Sequence, residues 1–194
     1  MFSGIVETTS PILKIEDTSA RRRVWIRKPR GWKLATGESV CVDGVCSTVE
    51  SRNTSAFEVI YMPETLRRTT LARATEGCSV NLERSLALNG LVGGHLVQGH
   101  VDSIARIRRI EADGAASIYE FALPKRWMRY VVEKGSVAID GVSLTVIDPR
   151  AGGFSVSLLQ RTRTHTTLGG KGENALVNIE VDVVAKYMEK LMAR

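Results

Sequence analysis

One stretch of this chain is written twice. Val42-Asp43-Gly44-Val45-Cys46-Ser47-Thr48-Val49 returns 97 positions later as Ile139-Asp140-Gly141-Val142-Ser143-Leu144-Thr145-Val146. Each copy is a β-rich run broken by Asp-Gly, a dipeptide that closes hairpins because both residues accept positive φ. The same offset carries Phe57 to Phe154, Thr65 to Thr162 and Thr69-Thr70-Leu71 to Thr166-Thr167-Leu168. It also carries Val80-Asn81-Leu82-Glu83 to Val177-Asn178-Ile179-Glu180. Upstream the offset is 95, taking Pro29 and Trp32 to Pro124 and Trp127, and Gly4 and Val6 to Gly99 and Val101. A unit of about ninety-five residues is too long for a solenoid repeat of roughly 20–50 residues. It is a domain length, so the repeat implies a duplicated small barrel or sandwich.

Within the first unit, residues 4–15 read as two short strands around a turn at Thr8-Thr9-Ser10-Pro11. Residues 22–28 form a strand stopped by Pro29, residues 40–49 the hairpin, and residues 57–62 an alternating strand stopped by Pro63. Residues 64–71 form one helical turn with Thr65 as N-cap, and residues 79–86 the sixth strand. A glycine-rich seam, Asn89-Gly90-Leu91-Val92-Gly93-Gly94, follows. The second unit predicts strands or hairpins over 101–110, 116–123, 136–147, 154–159 and 176–181, with a helical turn over 124–132. Short strands with Gly, Pro, Asn and Asp between them favour closed antiparallel barrels. In residues 183–194, Val184, Tyr187, Met188, Leu191 and Met192 recur at i, i+3, i+4, i+7 and i+8. A helix of about a dozen residues is marginal alone, so it docks either on its own barrels or on another subunit.

Net charge of +6 and a pI near 9.5 raise a nucleic-acid reading. Arg21-Arg22-Arg23 and Arg27-Lys28-Pro29-Arg30 read instead as a solvated strand face and a basic loop, and no nucleic-acid motif appears. No apolar run of about eighteen residues exists, so no membrane span is expected. The N-terminus lacks a basic n-region and an apolar h-region, which leads us to expect no secretory signal and a cytoplasmic protein. Cys41, Cys46 and Cys78 are odd in number and form no CxxC pair, so neither a disulfide frame nor zinc is expected. His95, His100 and His165 have no acidic or cysteine partner at ligand spacing, so no metal site is expected. From residue types alone, Cys46 suits a small core position as well as a nucleophile. Asp43 and Asp140 read as turn residues and His95 as structural.

These pieces resemble the alpha-type riboflavin synthase family. The opening Met1-Phe2-Ser3-Gly4-Ile5-Val6-Glu7 is similar to its N-terminus, with Ser3 where Thr is common. Gly93-Gly94-His95-Leu96-Val97-Gln98-Gly99-His100-Val101-Asp102 is similar to its inter-barrel segment. The second hairpin and the ending Val177-Asn178-Ile179-Glu180-Val181-Asp182 match as well, so the likeness runs through essentially the whole chain. It implies an all-β fold: two similar six-stranded antiparallel Greek-key barrels in tandem, residues 1–92 and 93–182, plus a C-terminal α-helix, 183–194, for oligomerisation. It implies a cofactor-independent transferase that dismutates two molecules of 6,7-dimethyl-8-ribityllumazine to riboflavin and 5-amino-6-ribitylaminouracil. It implies a homotrimer in which one subunit's N-terminal barrel faces a neighbour's C-terminal barrel, and it raises a complex with lumazine synthase.

Carried over by position, substrate contacts in the first barrel are Gly4, Ile5, Val6, Cys46, Thr48, Met62, Glu64 and Thr65. In the second they are Gly99, His100, Val101, Lys134, Ser143, Leu144, Thr145 and Thr162. Ser39, Cys46, His100 and Asp182 match positions implicated in the chemistry, with Cys46 or an activated water or hydroxyl as the nucleophile at C7 and His100 or Ser39 moving protons. A second function stays open: a non-catalytic lumazine- or flavin-binding paralogue of the antenna type, which tends to lose the catalytic positions. Two departures bear on the pockets. Ser47 stands where Leu is usual, and Leu159-Gln160-Arg161-Thr162-Arg163 replaces the proline-containing pattern that Met62-Pro63-Glu64-Thr65-Leu66 keeps.

Overall fold

The computed structural model describes residues 1–192, and the last two residues of the expected terminal helix lie outside them. The first barrel is built of β1 (Thr8–Asp17), β2 (Arg22–Arg27), β3 (Ser39–Val42), β4 (Val45–Arg52), β5 (Ala56–Tyr61) and β6 (Ser79–Arg84), with α1 (Pro63–Arg68) after β5. The second is built of β7 (Ser103–Asp113), β8 (Ala116–Ala122), β9 (Ser136–Ile139), β10 (Val142–Arg150), β11 (Gly153–Leu159) and β12 (Leu176–Val181). There α2 (Lys125–Met128) precedes β9, α3 (Gln160–His165) follows β11, and α4 (Val183–Met192) follows β12. The first barrel closes in the order β1-β2-β5-β4-β3-β6 and the second in the same order six strands later. Because β2 pairs with β5 rather than β3, each barrel is a Greek key.

Alternation sets which side chains fill the barrels. Along β4, Val45, Ser47 and Val49 point inward, and Cys46 and Thr48 outward. Along β8, Ser117, Tyr119 and Phe121 point inward. Two apolar cores result, one around Ile26, Val40, Phe57 and Leu82, the other around Ile107, Phe121, Ile139 and Phe154. The Ser47 departure has a partner inside the barrel. Its hydroxyl lies 2.9 Å from the Tyr61 hydroxyl, and at the repeat-related positions the second barrel has Leu144 and Leu158. A polar pair stands where the second barrel has two leucines, and the buried oxygens satisfy each other.

Three local expectations need correction. Residues 4–15 do not make two strands and a turn. They contain the start of one ten-residue strand, β1, whose first half pairs with β6 up to Pro11 and whose second half pairs with β2 from Ile12. Pro11 lacks a donor and sits at the change of partner, where a bend is cheap. Thr65 is not an N-cap: Pro63 occupies the start of α1 and Met62 the cap. In the second unit α3 forms at Gln160–His165 without any proline, an element the sequence reading lacked.

The Asp-Gly turns hold as read, with Asp43 at φ 45°, Gly44 at 81°, Asp140 at 46° and Gly141 at 79°. They meet each other. A Cβ added to Gly44 would lie 2.8 Å from the Gly141 nitrogen, and one added to Gly141 would lie 2.9 Å from the Gly44 nitrogen. Only glycine serves both the positive φ and this contact. Asn81 donates through Nδ2 to the Asp140 carbonyl (2.9 Å), and Asn178 donates through Nδ2 to the Asp43 carbonyl (2.8 Å). Their Oδ1 atoms accept from Thr167 N and Thr70 N, both at 2.7 Å. The two barrels therefore meet across an internal twofold axis of paired polar groups, among which Asn81, Asn178 and Asp140 are buried.

Helix α4 starts on Asp182, whose Oδ1 accepts from Val184 N (2.9 Å). Its polar edge is tied to its own second barrel by Lys186 with Asp102 (2.6 Å) and by Glu189 with Arg129 (2.8 Å) and the Tyr130 hydroxyl. Its apolar face is uncovered: Tyr187 is 65% exposed and Leu191 75%. Among the described residues no helix is long and apolar enough to cross a membrane.

Candidate functional site

Before each barrel's first long strand runs a short strap, residues 2–6 in one copy and 97–101 in the other. Phe2 and Val97 bridge the two straps, Phe2 N donating to the Val97 carbonyl (2.7 Å) and Val97 N to the Phe2 carbonyl (3.1 Å). Each strap is bolted down by a buried glutamate. Glu83 accepts from Ser3 N (2.7 Å) and Gly4 N (3.1 Å). Glu180 accepts from Gln98 N (2.7 Å), Gly99 N (2.8 Å) and His100 N (3.0 Å). Burial raises both carboxyls above their ordinary range, while these donors pull the other way.

The straps cross over. The Gly99 carbonyl accepts from Cys46 N (2.8 Å) and the Gly4 carbonyl accepts from Ser143 N (2.7 Å). Val101 packs on the first barrel's core and Val6 on the second's. The barrel-by-barrel grouping of site residues expected above is thus corrected. Gly99, His100 and Val101 join Cys46, Glu64 and Thr65 at the first barrel, and Gly4, Ile5 and Val6 join Ser143 at the second. Both glycines sit at positive φ, and a Cβ on Gly99 would lie 2.6 Å from Cys46 N. Nothing larger passes so close to the hairpin.

The first site is a cavity of about 200 Å³ containing Cys46, Glu64, Thr65, Gly99, His100 and Val101 in its wall. Cys46 is half-buried, and His100 is exposed at the mouth. Glu64 is held well ionised by its hydrogen bond to Arg68, with Arg67 adding to the effect. Thr48 lies on the same outward face of β4, more exposed, and Met62 stands 57% exposed beside α1. Ser39 is Thr48's cross-strand neighbour, and Asp182 caps α4. Neither lines the cavity that holds Cys46 and His100. The four residues carried over as chemical are therefore not one cluster within a single chain.

At the second site, Ser143 and Thr145 face outward on β10, Leu144 packs on the core, and Thr162 lies in α3. The His95 Nδ1 lies 2.7 Å from Ser143 Oγ. Burial lowers the His95 pKa, while the charge of Asp182 acts to raise it. Lys134 holds φ 61°, and its N–H donates to the Val146 carbonyl (2.9 Å). Gly37 does the same in the first copy, at φ 86° with its N–H on the Val49 carbonyl (2.8 Å). A lysine at a left-handed position where the sister copy uses glycine is strained, as residues at functional sites often are. Sequence reasoning missed Glu83, Glu180, Asn81 and Asn178. The signal was present in the repeated Val-Asn-Leu-Glu and Val-Asn-Ile-Glu, polar residues inside an otherwise apolar strand.

Comparison with known proteins matches these features. The lumazine binding domain family is found twice, over residues 3–85 and 98–182. The riboflavin synthase of Mycobacterium bovis is 43% identical, covering 99% of this chain and 98% of that protein. The riboflavin synthase of Actinobacillus pleuropneumoniae is 38% identical over 100% of this chain and 91% of its own length. Among solved structures, LumP complexed with riboflavin superposes with a TM-score of 0.87 at 22% identity, covering 93% of this chain and 99% of LumP, a likeness of fold. With two matched lumazine binding domains and end-to-end identity to riboflavin synthases, the chain belongs to the riboflavin synthase family.

Proposed function

We propose that this chain joins two molecules of 6,7-dimethyl-8-ribityllumazine in a dismutation that yields riboflavin and 5-amino-6-ribitylaminouracil. The observation that carries the reading is the pair of strap-covered sites, alike in backbone and unlike in side chains, in a chain identical end to end at 38–43% to riboflavin synthases. Two like molecules need two like receptacles. Holding both at once makes the encounter effectively unimolecular. Transfer of a four-carbon unit makes the protein a transferase.

Residues 1–92 and 93–182 act as the two lumazine-binding barrels and residues 183–194 as the oligomerisation helix. Gly4, Ile5, Val6, Lys134, Ser143, Leu144, Thr145 and Thr162 bind one substrate. Thr48, Met62, Glu64, Thr65, Gly99 and Val101 bind the other. Cys46 adds to C7 of its lumazine, and His100 and Ser39 move protons. Three chains form a homotrimer through the open apolar face of α4, bringing the first site of one subunit against the second site of its neighbour. That arrangement brings Ser39 and Asp182 into reach of the reacting pair. The protein works in the cytoplasm without metal or organic cofactor, and association with a lumazine synthase belongs to the same reading.

The test is direct: purified protein with 6,7-dimethyl-8-ribityllumazine and no additive forms riboflavin, followed by fluorescence. Solved LumP complexes with 6,7-dimethyl-8-ribityllumazine and with riboflavin support the competing reading of a binding protein without chemistry. Tight binding of lumazine with no riboflavin formed would establish that reading instead. Leu191→Glu, on the α4 face, is expected to shift sedimentation from trimer to monomer. An unchanged profile would move the subunit contact elsewhere.

A further inference from the structure

We propose that His95 is a positioning residue of the second pocket: its Nδ1–H fixes the Ser143 hydroxyl so that the hydroxyl's own proton faces an acceptor atom of the bound heterocycle. This deepens the riboflavin synthase reading and rests on it for the identity of the ligand.

The contact is built from several sides. His95 Nδ1 and Ser143 Oγ are 2.7 Å apart. Ser143 N donates to the Gly4 carbonyl (2.7 Å), and His95 N donates to the Ser3 carbonyl (3.1 Å), so one strap holds both residues. Gly94 lets the chain come this close. A Cβ there would press on the Ser3 carbonyl and sit 2.7 Å from Ser143 Oγ. The backbone thus places the ring's Nδ1 beside the Ser143 hydroxyl.

The other ring nitrogen decides the proton's place. His95 Nε2 is buried with no hydrogen-bond partner. A buried N–H left unpaired is rarer in folded proteins, and dearer, than an unpaired acceptor. The neutral ring therefore carries its proton on Nδ1, and that N–H points at Ser143 Oγ. Burial keeps the ring neutral against the pull of Asp182, whose own carboxylate is occupied with Val184 N. A serine hydroxyl offers one proton and two lone pairs. With a lone pair taken by His95, its proton is left for the ligand.

The first pocket has no such device. Cys46 stands where Ser143 stands, a thiol donates weakly, and Cys46 Sγ makes no hydrogen bond among the described residues. One pocket thus presents an aimed oxygen donor and the other an unengaged thiol. The predicted consequence is a difference in polarisation between two chemically identical guests.

Three proteins test this: the wild type, His95→Asn and His95→Leu. The asparagine amide nitrogen takes the place of Nδ1 and still donates, and leucine does not. Riboflavin titration followed by calorimetry is expected to show His95→Leu weakening one of two sites about tenfold while sparing the other. His95→Asn recovers most of that loss, and kcat follows the same order. Nitrogen-15 spectra of the ligand-free wild type report the Nδ1–H tautomer. An Nε2–H tautomer overturns the proposal. So does a His95→Asn protein as impaired as His95→Leu at equal unfolding midpoints, or a His95→Leu protein that binds at both sites like the wild type. If the wild type binds riboflavin in this pattern yet makes none, the enzymatic reading fails and the positioning role stands. If it binds no flavin, the tautomer decides the role alone.

Discussion

The first pocket carries Cys46, His100 and Glu64 where the second carries Ser143, Ile5 and Arg161. The backbone framework behind these side chains is shared: the glycine strap, the buried glutamate that holds it, the Asp-Gly hairpin and the threonine of the short helix. Backbone geometry recognises the shape of a guest, and it has been copied. Side-chain chemistry decides what happens to the guest, and it has diverged. A reaction that uses one compound in two roles calls for this division. Copying alone would give two equal sites with no reason for the four-carbon unit to move one way between them.

The comparison breaks most forcefully at the shared axis. Asn178→Leu removes a donor to the buried Asp43 carbonyl and an acceptor for the half-buried Thr70 N, both in the contact between barrels. Leaving such groups unpaired costs about 1–3 kcal/mol each. Urea unfolding is expected to show a loss of about 2–5 kcal/mol, and a loss below 1 kcal/mol would mean that the axis is not what joins the barrels. A smaller break removes one of the differences between the two sites. Cys46→Ser is expected to lower the rate of riboflavin formation by about a hundredfold, near 2.7 kcal/mol of barrier. Riboflavin binding should stay within a few fold. Undiminished turnover would remove the thiol from the chemistry.

A third substitution concerns an inequality at the axis itself. Asp140 is paired with Lys171 (2.6 Å), but the repeat-related position for Asp43 is Ala74. Burial, and then the charge of Asp140, push the Asp43 carboxyl up to about 8. The folded state thus holds a proton that the unfolded chain releases near pH 4. The stability tied to that proton is present at low pH and is lost as pH rises through about 8. Asp43→Asn, which keeps an oxygen for Asn81 N, should remove this fall. Melting temperatures at pH 6 and pH 9 should then converge for the variant and differ for the wild type.

The repeat, both hairpins, ten or more strand positions and the barrel class are legible in the residues, because alternation and turn chemistry are local. The resemblance names Cys46 and His100 but assigns them to different barrels, so their sharing one cavity within a single chain is not legible. The exchange of straps is not legible at all. Gly4-Ile5-Val6 and Gly99-His100-Val101 lie next to their own barrels in sequence, and no pattern in a short glycine-containing segment says which neighbour it leans on. Pro11 misled for a related reason. A proline inside a strand reads as a turn unless its missing donor is known to fall at a change of partner.

The crossed straps also order events in time. As the chain emerges, the first hairpin at Cys46 is followed some fifty residues later by Gly99, the strap that covers it. Gly4 appears first of all and must wait for Ser143, nearly a hundred and forty residues downstream. Contacts that far apart in the chain form slowly. Glu180, which holds the Gly99 strap, comes later still, so neither pocket can be complete until the second barrel's last strand, β12, has been made.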